Sequence, residues 1–255
     1  MGWFFLIKEE KMNIAFEKDD VPKMKELIIK GVNPNIKFKG YKTLLHYSLN
    51  KKDISLAKFL IENKANVDVQ DNDGNSTLFF ASCYGYMDFV KLLLANNASI
   101  EIKNNDGSTP LLGSCNNDNI ECMKFLLENN ADPNIINNDG INSINLAASK
   151  GDIEMVKLLL KYKAQVNLTH KEKSPLLLAM IKEFWELSKI LIEAGSNVNE
   201  KLDNGLTPLI IAVSRDNLEI TKFLINYNVD VNETNNDGMS ALHLAVSRNN
   251  IEIVR

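Results

Sequence analysis

The chain has 255 residues, 29 basic and 33 acidic for a net charge of −4, with 45% hydrophobic and 24% charged residues. That length and composition make one large or two small folded domains and exclude wholesale disorder. Without a positive excess a general nucleic-acid binder is disfavoured; no apolar run approaches the ~20 residues of a membrane span, and three cysteines make no disulfide framework. The chain is therefore expected in a reduced cytoplasm (or delivered to a host cell, if its source is a parasite or symbiont), without nucleic-acid or membrane partners.

Met1 to Ile7 is apolar, but Lys8-Glu9-Glu10-Lys11 comes directly after it and no basic residue precedes it, so it is not a secretory signal. Leu6 stands where N-myristoylation would want Ser or Thr. Residues 1–9 are read as an apolar segment packing over the first folded unit of the chain, with docking to a partner or a second copy as the alternative.

From residue 43 a period governs the sequence. Thr43-Leu44-Leu45-His46, Ser76-Thr77-Leu78-Phe79, Thr109-Pro110-Leu111-Leu112, Asn142-Ser143-Ile144-Asn145, Ser174-Pro175-Leu176-Leu177, Thr207-Pro208-Leu209-Ile210 and Ser240-Ala241-Leu242-His243 share one slot, at steps of 33, 33, 33, 32, 33 and 33. The first residue of each can cap a helix with its side-chain oxygen. Pro in the second position suits the first helical turn, where its missing N–H costs nothing. Leu or Ile in the third faces a core, and Ala81, Ala147, Ala179, Ala212 and Ala245 recur three places on, where a small side chain permits close helix approach. A connector and a second helical stripe come next, as in Phe89, Val90, Leu92 and Leu93. Asn105-Asp106-Gly107, Asn138-Asp139-Gly140 and Asn236-Asp237-Gly238 then signal hairpin turns. Each unit reads helix, connector, helix, β-hairpin.

These features resemble the ankyrin repeat family. The residues that carry the likeness are Asp106 to Leu111 (Asp-Gly-Ser-Thr-Pro-Leu), Leu242 to Ala245 (Leu-His-Leu-Ala), Gly151 to Leu160 and Ala131 to Asn134 (Ala-Asp-Pro-Asn). The resemblance implies an all-α dominated helix-turn-helix solenoid with β-hairpin turns, of about seven repeats plus a truncated last one. It covers 10–255 as a single repeat domain, with repeats at 10–42, 43–75, 76–108, 109–141, 142–173, 174–206, 207–239 and an incomplete 240–255. It also implies a non-catalytic, monomeric scaffold for a protein partner, bound through hairpin tips and first-helix ends. Two other readings stay open: a substrate adaptor of a larger enzyme or effector, and a structural or self-assembly module.

Departures from the pattern carry expectations of their own. Met12 to Asn35 keeps Ala15, Met24, Leu27, Ile28 and Ile29 but lacks the capping Thr-Pro, which fits an N-terminal cap. The 142–173 unit is one residue short, and its turn, His170-Lys171-Glu172-Lys173, lacks Gly, so an altered hairpin is expected. Glu183 replaces the connector glycine found as Gly85 and Gly151. The sequence stops at Arg255 inside a second helix, which predicts an uncovered apolar end, covered in a longer protein or by a partner.

No catalytic, cofactor or metal site emerges. His46 and His243 occupy a turn-bonding slot, and His170 is expected exposed in its odd hairpin. Cys115 and Cys122 fall in packing slots without zinc spacing. Trp185 shares the slot of Met87, Ile120 and Ile153 and is expected in the core, while Tyr84, Tyr86 and Phe184 either pack connectors together or anchor a partner. Two columns are candidate protein contacts. Asp73, Asp106, Asp139 and Asp237 align at the turns as a row of acidic tips, or serve only to make good turns. Lys51, Tyr84, Asn117, Lys150, Lys182, Arg215 and Arg248 align at the first-helix ends, and five of the seven are basic. Arginine forks suit an acidic partner, although Ala212 to Arg215 and Ala245 to Arg248 are near copies that duplication also explains.

Overall fold

The structure, a computed structural model, describes residues 2–38, 42–168 and 173–255, with side chains from Glu9 onward. His170, Lys171 and Glu172 of the short unit's turn, and the side chains of Met1 to Ile7, lie outside the described residues. The chain forms two compact units, Met1–Asp132 and Pro133–Arg255.

Unit 1 holds α1 (Gly2–Glu17), α2 (Val21–Ile29), α3 (Leu44–Asn50), α4 (Ile54–Glu62), α5 (Thr77–Tyr84), α6 (Met87–Ala95), α7 (Pro110–Asn116) and α8 (Ile120–Glu128). Within each pair the helices pack on each other, α3 on α4, α5 on α6 and α7 on α8. First helices stack in one row, α3 on α5 on α7, and second helices in another, α4 on α6 on α8. Unit 2 repeats the plan with α9 (Ser143–Lys150), α10 (Ile153–Lys161), α11 (Pro175–Ile181), α12 (Trp185–Glu193), α13 (Pro208–Ser214), α14 (Leu218–Ile225), α15 (Ala241–Ser247) and α16 (Ile251–Val254). Its rows are α9, α11, α13, α15 and α12, α14, α16.

The first helices begin where the slot residues can cap them. Oγ of Ser76, Thr109, Ser174 and Thr207 accepts the N–H of Phe79, Leu112, Leu177 and Ile210 at 3.0, 3.3, 3.1 and 3.2 Å. Asn142 does the same for Asn145 with its Oδ1, at 2.9 Å. Helices of seven or eight residues are marginal alone, so packing must supply their stability. It does so through the repeated apolar slot: Leu45, Leu78, Leu111, Ile144, Leu176 and Leu209 are all buried, as are the small Ala81, Ala147, Ala179 and Ala212 between the rows.

One position departs from the size pattern. Gly113 occupies the α7 slot filled by Phe80, Leu146 and Ile211 elsewhere. A Cβ there would stand 2.7 Å from the Cys83 Sγ and 3.0 Å from the Phe79 ring, so α5 and α7 meet across a bare backbone.

At the N-terminus, residues 2–17 run as one helix, α1, which packs on α2. Met12, Ala15, Met24, Leu27 and Ile28 are buried with Leu44, Leu56 and Leu60, while Ile29 faces solvent. The Phe16 ring stacks on Phe38 at 4.1 Å and tilts against Tyr47 at 5.1 Å, closing this cap with aromatics.

The turns are tight loops with very short arms. The N–H of Asp71, Asn104, Asn137, Leu202 and Asn235 each donates to the carbonyl four residues on, at 3.0 Å. Pairing beyond that reaches only single bridges, Gln70 to Ser76 and Thr234 to Ser240, and no strand forms among the described residues. The reason is spacing: the residue after each turn is already the helix cap, so the hairpin arm ends before a ladder can start. Gly74 in the first of these turns has φ +74°, and a Cβ on it would meet the Asn105 backbone N at 2.7 Å.

Candidate functional site

A column of side-chain oxygens ties successive repeats together. Within unit 1, Asn35 Oδ1 accepts the Asn66 N–H at 2.7 Å, Asp68 Oδ1 the Ser99 N–H at 2.8 Å, and Glu101 Oε1 the Asp132 N–H at 2.7 Å. In unit 2, Asn134, Asn167 and Asn199 do the same for Gln165, Asn197 and Asp230 at 2.8, 2.9 and 2.7 Å. Each oxygen reaches a backbone donor 30 or 31 residues on, in the next repeat. The sequence carried this signal as Asn, Asp or Glu at the same repeat position, but at most as one polar column among several.

The turns interlock as well. Asp73 and Asp106 in unit 1 and Asp139 and Asp237 in unit 2 are exposed at their turns. The carboxylate or amide two residues earlier holds each loop: Asp71 Oδ1 accepts the N–H of Asp73 and Asn75, Asn104 Oδ1 those of Asp106 and Ser108, and Asn235 Oδ1 those of Asp237 and Met239. Neighbouring turns bond through backbone, Asn105 N–H to Asp73 C=O at 2.9 Å and Asn236 N–H to Asn204 C=O at 3.1 Å.

The column at the first-helix ends is less available than its sequence implies. Lys51 Nζ lies 2.6 Å from Asp19 Oδ2, Arg215 Nε 3.2 Å from Glu183 Oε1, and Arg248 Nη1 3.6 Å from Asp216 Oδ2. Each pair joins a cation to the carboxylate 32 residues earlier, on the left-handed residue that ends the previous first helix: φ is +58° at Asp19, +61° at Glu183 and +51° at Asp216. Glu183 thus fills the place where Gly85 and Gly151 sit, and its side chain goes to Arg215. Lys182 Nζ donates to the Ser149 carbonyl, Arg248 Nη1 also to that of Ser214, and Asn117 Nδ2 to that of Gly113 at 3.0 Å. Lys150 ends α9 and has a partner of its own. Tyr84, alone in the column, is aromatic; it is 52% exposed.

Around Tyr84 the rings are continuous. Tyr84 stacks on Phe80 at 6.0 Å with 11° between planes and tilts against Tyr86 at 5.6 Å. Lys42 Nζ stands 5.1 Å from the Phe80 centroid and Lys52 Nζ 4.9 Å from that of Tyr86. Beside Tyr86 a cavity of about 380 Å³ is lined by Lys52, Ile54, Gly85, Met87 and Asp88. Phe184 differs from Tyr86, although both stand where Asp or Asn precedes the other second helices: its ring covers Gly151, where a Cβ would come within 2.8 Å. Trp185 is half-buried rather than core. It is the first residue of α12, and Met87, Ile120 and Ile153 in the same slot are likewise half-buried, because the first helical position lies at the edge of the packed stripe.

Titratable groups serve the scaffold. Burial pushes the His46 pKa below its ordinary 6.5; Nδ1 accepts from Thr43 Oγ1 at 3.1 Å, and Nε2 donates to the Asn75 carbonyl at 3.2 Å. His243 takes the matching place beside Ser240. Burial pushes the Glu200 carboxyl up to about 7, only partly opposed by the hydroxyl of Ser174, which donates to it. Cys83, Cys115 and Cys122 are free thiols, and burial raises Cys83 to about 12. Among the described residues no three His, Cys, Asp or Glu side chains gather closely enough to hold a metal ion, and no helix is long and apolar enough to cross a membrane.

Stacked helix pairs bound by repeating caps, clamps and interlocked turns define a helical repeat protein. A family model described as ankyrin repeats (3 copies) matches residues 12–106, 88–170, 111–202 and 176–255, and the chain belongs to the ankyrin repeat family. Such repeats are generally non-catalytic modules of protein–protein interaction. Among solved structures, the crystal structure of the ankyrin repeat domain of Bcl-3, a member of the IkappaB protein family, is similar. It aligns with a TM-score of 0.74 at 24% identity, covering 85% of this chain and 100% of that one. No curated protein matches.

Proposed function

We propose that residues 10–255 act as a non-catalytic recognition domain that binds a protein partner across its turn tips and first-helix ends. The observation that supports this is a division of labour within one repeated backbone. The caps, the side-chain clamps and the buried slots carry nearly the same residue types in every unit. The first-helix ends (Lys51, Tyr84, Asn117, Lys150, Lys182, Arg215 and Arg248) vary in type while keeping their place, and the tips present Asp73, Asp106, Asp139 and Asp237 to solvent. A preorganised surface of this kind loses little ordering entropy on binding. Capture of a protein partner by the full chain, followed by competition with variants at these two columns, tests it. Variants at both columns that leave capture unchanged would overturn the reading.

A second reading, self-association, draws on one feature of unit 2. Ile225, Tyr227, Val231, Leu242, Val246 and Ile251 are each at least 39% exposed, and part of this face opens into a cavity of about 270 Å³. Exposed apolar patches of this kind favour assembly. Light scattering decides: a monodisperse monomer across a hundredfold concentration range argues against it.

A further inference from the structure

The proposed recognition surface has one place where its chemistry is both exposed and uncommitted. Of the five cations in the first-helix-end column, Lys51, Arg215 and Arg248 face carboxylates of the preceding repeat, Lys182 a carbonyl, and Lys150 a partner within the fold. An acidic ligand would have to displace those bonds. At Tyr84 it would not. Phe80, Tyr84 and Tyr86 form a stacked and tilted series, with Lys42 over one end and Lys52 over the other. Neither of these two lysines forms an ion pair with a described carboxylate. Asp53, the neighbour of Lys52, is held by the Ser55 hydroxyl at 2.6 Å and the Leu56 N–H at 2.9 Å. Asp88 lines the cavity beside Tyr86 and bounds the patch on that side.

The spacing of the two lysines specifies a ligand. They flank α3, two residues before its first and two after its last residue. The rings between them are spaced 6.0 Å (Phe80 to Tyr84) and 5.6 Å (Tyr84 to Tyr86), so the two end rings that carry the lysines are at most about 12 Å apart. An extended chain advances about 3.3 Å per residue and turns alternate side chains to one face, so residues i and i+4 lie about 13 Å apart on the same face, with i+2 between them. We propose, deepening the recognition reading above and resting on it, that this aromatic patch of unit 1 docks an extended protein segment. In that segment two carboxylates four residues apart bracket one apolar side chain, which lies on Tyr84 while the carboxylates meet Lys42 and Lys52. Aromatic residues anchor interfaces of this kind, and the flanking ammoniums supply orientation and salt sensitivity. Tyr86 fits the same role. It stands where Asp53, Asp152 and Asn217 cap other second helices, and it makes no side-chain capping bond. The α6 start therefore lacks the capping bond those helices have, and a ring is gained at the surface.

A random nonapeptide display library selected against the full chain tests the proposal. Enriched peptides should carry Asp or Glu at i and i+4 with an apolar residue at i+2. Tyr84→Ala should weaken their binding about tenfold or more, Tyr84→Phe should not, and the pair Lys42→Glu with Lys52→Glu should abolish the acidic preference. Circular dichroism and thermal unfolding check that each variant is folded; Tyr84, half exposed, contributes little to the core. Enriched peptides that bind Tyr84→Ala as well as the parent, or that lack the acidic bracket, would overturn this inference alone. Failure to enrich any peptide, together with no protein captured by the full chain, would overturn the recognition reading as well.

Discussion

Thr207 shows how much a single side chain contributes to these short helices. Its Oγ1 satisfies the Ile210 N–H, and Thr207→Ala should lower stability by about 1 kcal/mol in urea unfolding. Two buried titratable groups give the units opposite responses to pH. His46 is held neutral with its folded pKa below the unfolded 6.5. Its contribution is full above 6.5 and is lost as pH falls through the lower folded value, so acidification weakens unit 1. Glu200 has its folded pKa raised from 4.5 to about 7. Its contribution is present below 4.5 and is lost as pH rises through about 7, so unit 2 weakens towards neutrality and above. Glu200→Gln keeps an acceptor for the Ser174 hydroxyl and removes the ionisation. The stability of unit 2, from amide protection factors corrected for the intrinsic pH dependence of exchange, should then become nearly flat between pH 5 and 8, and a slope as steep as the parent's would contradict the assignment.

At the scale of elements, the contact between α5 and α7 depends on the absent side chain of Gly113. Gly113→Ala would press a methyl group into the Cys83 sulfur and the Phe79 ring, and overpacking of that kind costs about 1–3 kcal/mol. Thermal unfolding should show the loss, and Cys83→Ala in the same chain should recover part of it by vacating the nearest atom. The ion pairs between successive first-helix ends behave differently. Arg215 and Glu183 are both about half exposed, so Glu183→Gln should change stability by less than about 1 kcal/mol. Its larger effect should be on binding, because it frees the Arg215 guanidinium. A charge reversal such as Arg215→Glu sets two carboxylates side by side and is the poorer probe of partner contact.

Each unit is a one-dimensional stack, so stability should approach a sum of repeat and neighbour terms. The clamps allow a test. Asp68→Ala in unit 1 and Asn199→Ala in unit 2 each remove the acceptor for a backbone N–H of the next repeat, at about 1 kcal/mol apiece. They share no partner, so in the double variant the two losses should add to within about 0.5 kcal/mol. A marked departure from additivity would show coupling that the separate clamps do not explain.

Periodicity alone was enough to read the repeat length, the capping slot, the buried Leu and Ala columns and the turn positions. These features arise from local rules, helical spacing and cap chemistry, that act on each unit in the same way. The Asp-Gly signal placed the turns correctly but implied hairpin strands, because it says nothing of how soon the next helix cap arrives. Which polar side chains remain free was decided by stacking. Arg215 and Arg248 read as open cations along the chain, but each meets a carboxylate 32 residues earlier once the repeats are superposed. Tyr84 reads along the chain as one member of a mostly basic column; Lys42 and Lys52 come over the rings on either side of it only when α5 lies beside α3. Pairing across repeats depends on the offset between adjacent units, and only the packed backbone sets that offset.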